Sequence, residues 1–122
     1  SQEWCGAETL DGDVRELSST ERLVLVCLSQ RYLRNDPQPQ PLTWAQLAFE
    51  LNELRPGERW SPKRAAHIVS KVRRRLSKGY GVPGLLEGEV PPPVGNALNH
   101  NLITDLLRTT TIGKADLALL GQ

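Results

Sequence analysis

The sequence predicts a mainly α domain of four or so helices, with a small β-hairpin between the third and the fourth. Two capping signatures each open an apolar run of helical period, and a Ser-Pro pair opens a third, strongly basic run. A glycine-rich stretch follows that basic run. With 122 residues, 39% of them hydrophobic, the chain has material for one domain and one modest core.

Residues 1–17 carry five acidic side chains against one Arg, with Gly6 and Gly12 and little periodicity. That composition predicts a flexible acidic leader or interdomain linker, leaving 18–122 as the folded domain. The chain opens without a methionine, so a preceding domain is expected upstream of this leader.

The first helix is expected to begin at Ser18 or Ser19. Ser18-x-x-Glu21 fits a capping box, in which the hydroxyl accepts an orphan backbone N–H and the glutamate reaches back. Leu23, Val24, Val26, Cys27, Leu28 and Leu33 give this helix a wide apolar stripe to about Arg34. Asn35-Asp36-Pro37 stops it, because proline lacks the amide and disfavours α geometry in the residue before it. Thr43-x-x-Gln46 opens a second helix over about 44–54, with Trp44, Leu47, Ala48 and Leu51 on one face. Arg55-Pro56-Gly57 ends it. Ser61-Pro62 then starts the third helix, with serine as cap and proline at the first helical position, and Gly79 is expected to close it.

Beyond Gly79, the stretch 80–88 has the glycines and short apolar runs of a hairpin or loop, and Pro91, Pro92 and Pro93 form a rigid spacer. A fourth helix is expected over about 96–108, with Leu98, Leu102, Ile103, Leu106 and Leu107 inward. Leu117, Leu119 and Leu120 in the tail are expected to dock on the core.

Several function classes fall away. No apolar run approaches the length of a membrane span. Cys5 and Cys27 cannot build a disulfide framework or a four-ligand zinc site, and Cys27 on an apolar stripe reads as a small buried hydrophobe. No two-histidine metal spacing, phosphate loop, nucleophile elbow or catalytic carboxylate pair is present, so neither an enzyme nor a cofactor or metal is expected. His100, between Asn99 and Asn101, has no acid or nucleophile in register. Trp44 is read as core, and Trp60 as a staple packing near Arg64 and Ala65. Thr109, Thr110 and Thr111 read as an element end before they read as a phosphorylation site.

The formal net charge of +1 conceals a strong asymmetry. Residues 61–80 hold Lys63, Arg64, Lys71, Arg73, Arg74, Arg75 and Lys78 with no acid, while the rest of the chain has eight positive and fourteen negative residues. On a wheel at about 100° per residue with Ala65 at zero, Ile68, Val69, Val72 and Leu76 fall within about 60° of it. Lys63, Arg74, His67, Lys78, Lys71, Arg64 and Arg75 spread over roughly 160° to 280°. Ser70 borders that arc and Arg73 lies on the flank near the core. Unpaired like charges destabilise a helix, whereas nucleic-acid phosphates neutralise them and release counterions.

A capped helix, a basic helix and a Gly-rich hairpin, with a longer helix in front, is the order of a winged helix-turn-helix. The segments LSSTERLVLVCLSQRYL, LTWAQLAFELN and SPKRAAHIVSKVRRRLSKG together resemble a bacterial winged helix-turn-helix output domain. The opening L-[ST]-x-x-E-R-x-V-L resembles that of response-regulator DNA-binding domains. The span 17–121, with GVPGLLEGEV and NALNHNLITDLL, is more similar to C-terminal segments of actinobacterial regulators bearing a phosphothreonine-reading forkhead-associated (FHA) domain. The resemblance implies an upstream FHA-type domain, a role in transcription regulation and a cytoplasmic location. Two features depart from it. The connection Asn52–Trp60 exceeds a three- or four-residue turn, and the wing carries Glu87 and Glu89, with Lys78 the nearest cation.

The expected partner is double-stranded DNA, with the third helix in the major groove. The contact set is Lys63, Arg64, His67, Ser70, Lys71, Arg74, Arg75, Lys78 and Tyr80. Arg64 and His67, near the helix start, are candidates for base edges, and Lys71, Arg74, Arg75 and Lys78 for phosphates. Tyr80 either reaches a phosphate or covers the hairpin. The alternative is a winged-helix protein-interaction domain docking an acidic or phosphorylated partner segment. RNA binding by the same face is the weaker third reading, without a platform of aromatics for unpaired bases.

Overall fold

The computed structural model describes residues 14–121. The readings placed on residues 1–13, Gly6, Gly12 and Cys5 among them, lie outside the described residues. The domain is mainly helical: α1 (Ser19–Leu28), α2 (Gln30–Leu33), α3 (Trp44–Leu54), α4 (Pro62–Tyr80) and α5 (Ala97–Arg108), joined by 3-10 turns at Pro56–Glu58, Glu87–Glu89 and Lys114–Leu120.

Both capping boxes form. The Ser18 hydroxyl accepts the Glu21 N–H at 3.1 Å while Glu21 accepts the Ser18 N–H at 3.0 Å. Thr43 and Gln46 repeat the exchange at the head of α3. The first helix is shorter than expected. It ends at Ser29, where the Gln30 side-chain amide donates to the Cys27 carbonyl, and the chain continues as the four-residue α2. Asn35, at φ 61°, then turns the chain away, a left-handed position that asparagine tolerates.

α1 is the axle of the domain. Leu23 through Leu28 are all buried, so this helix is apolar on every side, as a helix must be when neighbours surround it. It packs against α3, α4 and the turn Lys114–Leu120. Leu47 and Leu51 of α3, Val69, Val72 and Leu76 of α4, and Leu102, Ile103 and Leu106 of α5 complete one core. Leu120 joins this core and Leu117 packs at its edge, but Leu119 is exposed, so only part of the tail docks as expected.

Residues 14–17, within the segment expected to be a flexible leader, are fastened to the domain. Arg15 is buried, its guanidinium paired with Asp105 at 2.9 and 3.0 Å and lying 4.6 Å from the centre of the Tyr80 ring. Its N–H donates to the Thr111 hydroxyl. Thr109 and Thr111 are buried behind the end of α5, which makes the three threonines a helix end.

The expected β-hairpin is absent: the described residues contain no strand. The chemistry of 81–90 explains why. One oxygen of Glu89 accepts the backbone N–H groups of Gly84, Leu85 and Leu86 at 3.0–3.3 Å, using up donors that a hairpin would pair across its strands. Val82 and Leu85 are buried, and Asn101 donates to the Gly84 carbonyl at 2.8 Å, tying the loop to α5. A Cβ at Gly84 would lie 2.8 Å from that Asn101 amide nitrogen.

Candidate nucleic-acid interface

α4 is positioned by its own sequence at both ends. The Ser61 hydroxyl accepts the Arg64 N–H and Pro62 occupies the first turn. The helix runs two residues past the expected Gly79 and ends at Gly81, whose φ of 68° is the left-handed cap that glycine adopts without strain. Its nineteen residues span about 28 Å. Ala65, Val69, Val72 and Leu76 are fully buried against α1 and α3, so the opposite face is held outward by packing.

The turn leading into α4 is built with equal definition. Asn52 near the end of α3 accepts the Trp60 N–H at 2.7 Å and donates to the Trp60 carbonyl at 2.8 Å. The Trp60 side chain is buried, and its indole N–H reaches a Glu58 carboxylate oxygen at 3.1 Å. The long connection is therefore an ordered structure, with Trp60 in the packing role expected for it.

The nine expected contact residues divide into two groups. Lys63, His67, Lys71, Arg74 and Lys78 are exposed and, among the described residues, have no hydrogen-bond or ion-pair partner. These five share a narrower arc of the wheel, roughly 160° to 240°, and extend along about 22 Å of helix.

The other four are engaged within the chain. Arg64 lies at the near edge of the turn: exposed, with its guanidinium stacked 3.9 Å over the Trp60 ring and donating to the Glu58 carbonyl. Arg75 forms a two-pronged bond to the Glu21 carboxylate at 2.8 and 2.9 Å, with a further bond to the Glu16 carbonyl at 2.9 Å. Ser70 is half-buried and accepts a bond from Arg73 at 3.0 Å. Tyr80 accepts the Glu16 N–H at its hydroxyl and carries Arg15 on its ring, which makes it an anchor for residues 14–17.

The electrostatics follow from these contacts. The Arg75 hydrogen bond, helped by the nearby charge of Lys71, holds the Glu21 carboxyl below its ordinary range despite partial burial. The same bond raises Arg75. Arg73, half-buried between Ser70 and Asn99, is lowered by desolvation, with Glu87 opposing that shift. Burial pushes the Cys27 thiol up to about 12.

Sequence reasoning missed Glu21 as the counter-ion of Arg75, because a capping box already accounted for it and the pairing joins residues 54 positions apart. It also missed Arg15, for which no local pattern exists. The loop 81–90 contains no Lys or Arg and brings the Glu87 carboxylate toward Arg73 on the flank of α4. Among the described residues there is no group of three His, Cys, Asp or Glu arranged to hold a metal, and no helix long and apolar enough to cross a membrane. No protein-family profile, curated protein or solved structure matches this chain.

Proposed function

We propose that this chain is a DNA-binding output module of a bacterial cytoplasmic regulator, with α4 entering the major groove of duplex DNA. The supporting arrangement is a mainly helical domain in which α1 and α3 brace α4, with the strandless loop 81–90 following it. The observation that carries this reading is the run of Lys63, His67, Lys71, Arg74 and Lys78 along one outward face, none of them in an ion pair among the described residues. Four Lys and Arg charges along about 22 Å match the scale on which a groove presents phosphates.

A salt titration of binding to random-sequence duplex DNA tests the proposal. Four phosphate contacts give a log–log slope of about −4, and the double charge reversal K71E/R74E flattens it by at least about two units. Binding that is weak, insensitive to salt and unchanged by K71E/R74E overturns it. Docking of an acidic or phosphorylated protein segment on the same face is then the reading that remains.

A further inference from the structure

We infer that Glu21 is an internal competitor for DNA phosphate: it occupies Arg75 in the free protein and must release it when the duplex binds, so this contact restrains DNA affinity. The inference rests on the DNA-binding reading above.

The geometry is specific. Arg75 lies on the edge of the cationic face next to α1, at roughly 280° on the wheel, just beyond Lys71. Both of its terminal nitrogens bond to Glu21, and the Glu16 carbonyl supplies a third acceptor. Two carboxylate oxygens facing a planar guanidinium reproduce the two-pronged contact that a phosphodiester makes with arginine. The carboxylate is 16% exposed and the guanidinium 41%, so Arg75 can be approached from solvent while Glu21 holds it from behind. Glu21 is itself fixed at the head of α1, where it bonds to the Ser18 N–H. It therefore cannot follow Arg75 outward. A phosphate reaching Arg75 has to replace Glu21, and it also meets that negative charge at short range.

The test uses E21Q, because glutamine keeps the capping box and removes only the charge. E53Q, on the exposed end of α3, is the control for loss of a charge elsewhere. E21Q is expected to bind random duplex about five- to tenfold more tightly at 0.1 M salt. E53Q is expected to change affinity by no more than about twofold, since screening weakens distant charges. The double variant E21Q/R75Q is expected to lose the gain. In the wild type, the Glu21 carboxyl followed by carbon NMR should titrate at higher pH in the complex than in the free chain.

Wild-type binding with E21Q no tighter than E53Q, or with an unshifted Glu21 titration, overturns the inference and leaves the DNA reading standing. Failure of both wild type and E21Q to bind duplex DNA overturns both.

Discussion

Arg15 and Asp105 form a two-pronged ion pair, with side chains only 5% and 2% exposed, that ties the segment ahead of α1 to the last turn of α5. Arg108 joins the same carboxylate at 2.9 Å, and Tyr80 closes the other side of Arg15. One carboxylate thus serves two guanidinium groups.

Removing that carboxylate should cost far more than a surface pair would. Asp105→Ala takes away the buried carboxylate bonded to Arg15 and Arg108, so a loss of about 3–5 kcal/mol in urea unfolding is expected. A loss below about 1 kcal/mol, the range of exposed pairs, would mean that the segment simply peels away into water.

Asn52 is the second point of leverage. Asn52→Ala strips partners from both the N–H and the carbonyl of Trp60, each part-buried, and should cost about 2 kcal/mol. Trp60 is buried, so its fluorescence should shift to longer wavelength as the turn loosens. An unchanged spectrum together with unchanged stability would show that the turn is held without Asn52.

Arg64 and Arg74 should separate stability from binding. Arg64→Ala removes a stack on Trp60 and is expected to lower stability by about 0.5–1 kcal/mol while leaving the DNA salt slope nearly intact. Arg74→Ala, exposed and unpaired among the described residues, should leave stability within about 0.5 kcal/mol and flatten the slope by about one unit. The opposite pattern would make Arg64, not Arg74, the phosphate contact.

Cys27 gives the domain a pH signature. Its thiol is raised from 9.0 to about 12 by burial, so between those values the unfolded chain loses a proton that the folded chain keeps. The stabilisation is complete below about pH 9 and is lost as pH rises toward 12. The stability difference between wild type and Cys27→Ala should be flat up to pH 9 and shrink above it. In a Cys5→Ala background, a thiol reagent at pH 8 should leave Cys27 unmodified in the folded protein and react with it once denaturant is added.

Local chemistry was the readable part of this sequence. The caps at Ser18, Thr43 and Ser61 are settled within four residues, so the starts of α1, α3 and α4 could be placed before any tertiary contact was known. The end of α4 could not. Gly79 and Gly81 are both acceptable stops, and the choice falls to Gly81 because Tyr80 must stay helical to meet Arg15 and Glu16. The loop 81–90 has hairpin composition, yet Glu89 binds its amides first, a side-chain competition that no strand propensity reports. In the candidate interface, the wheel placed all seven basic-face side chains correctly on one side of α4. Which of them are already taken depends on Glu21, Glu16, Glu58 and Trp60, which lie on other elements.

The paired bonds between Asn52 and Trp60 have a consequence for how α3 and α4 meet any partner. An elbow locked at both backbone groups sets the angle between the two helices before an encounter, so little chain motion remains to be frozen out on contact. Recognition by such a surface resembles a key entering a finished lock: fast for a target of matching curvature, and unforgiving of one that does not match.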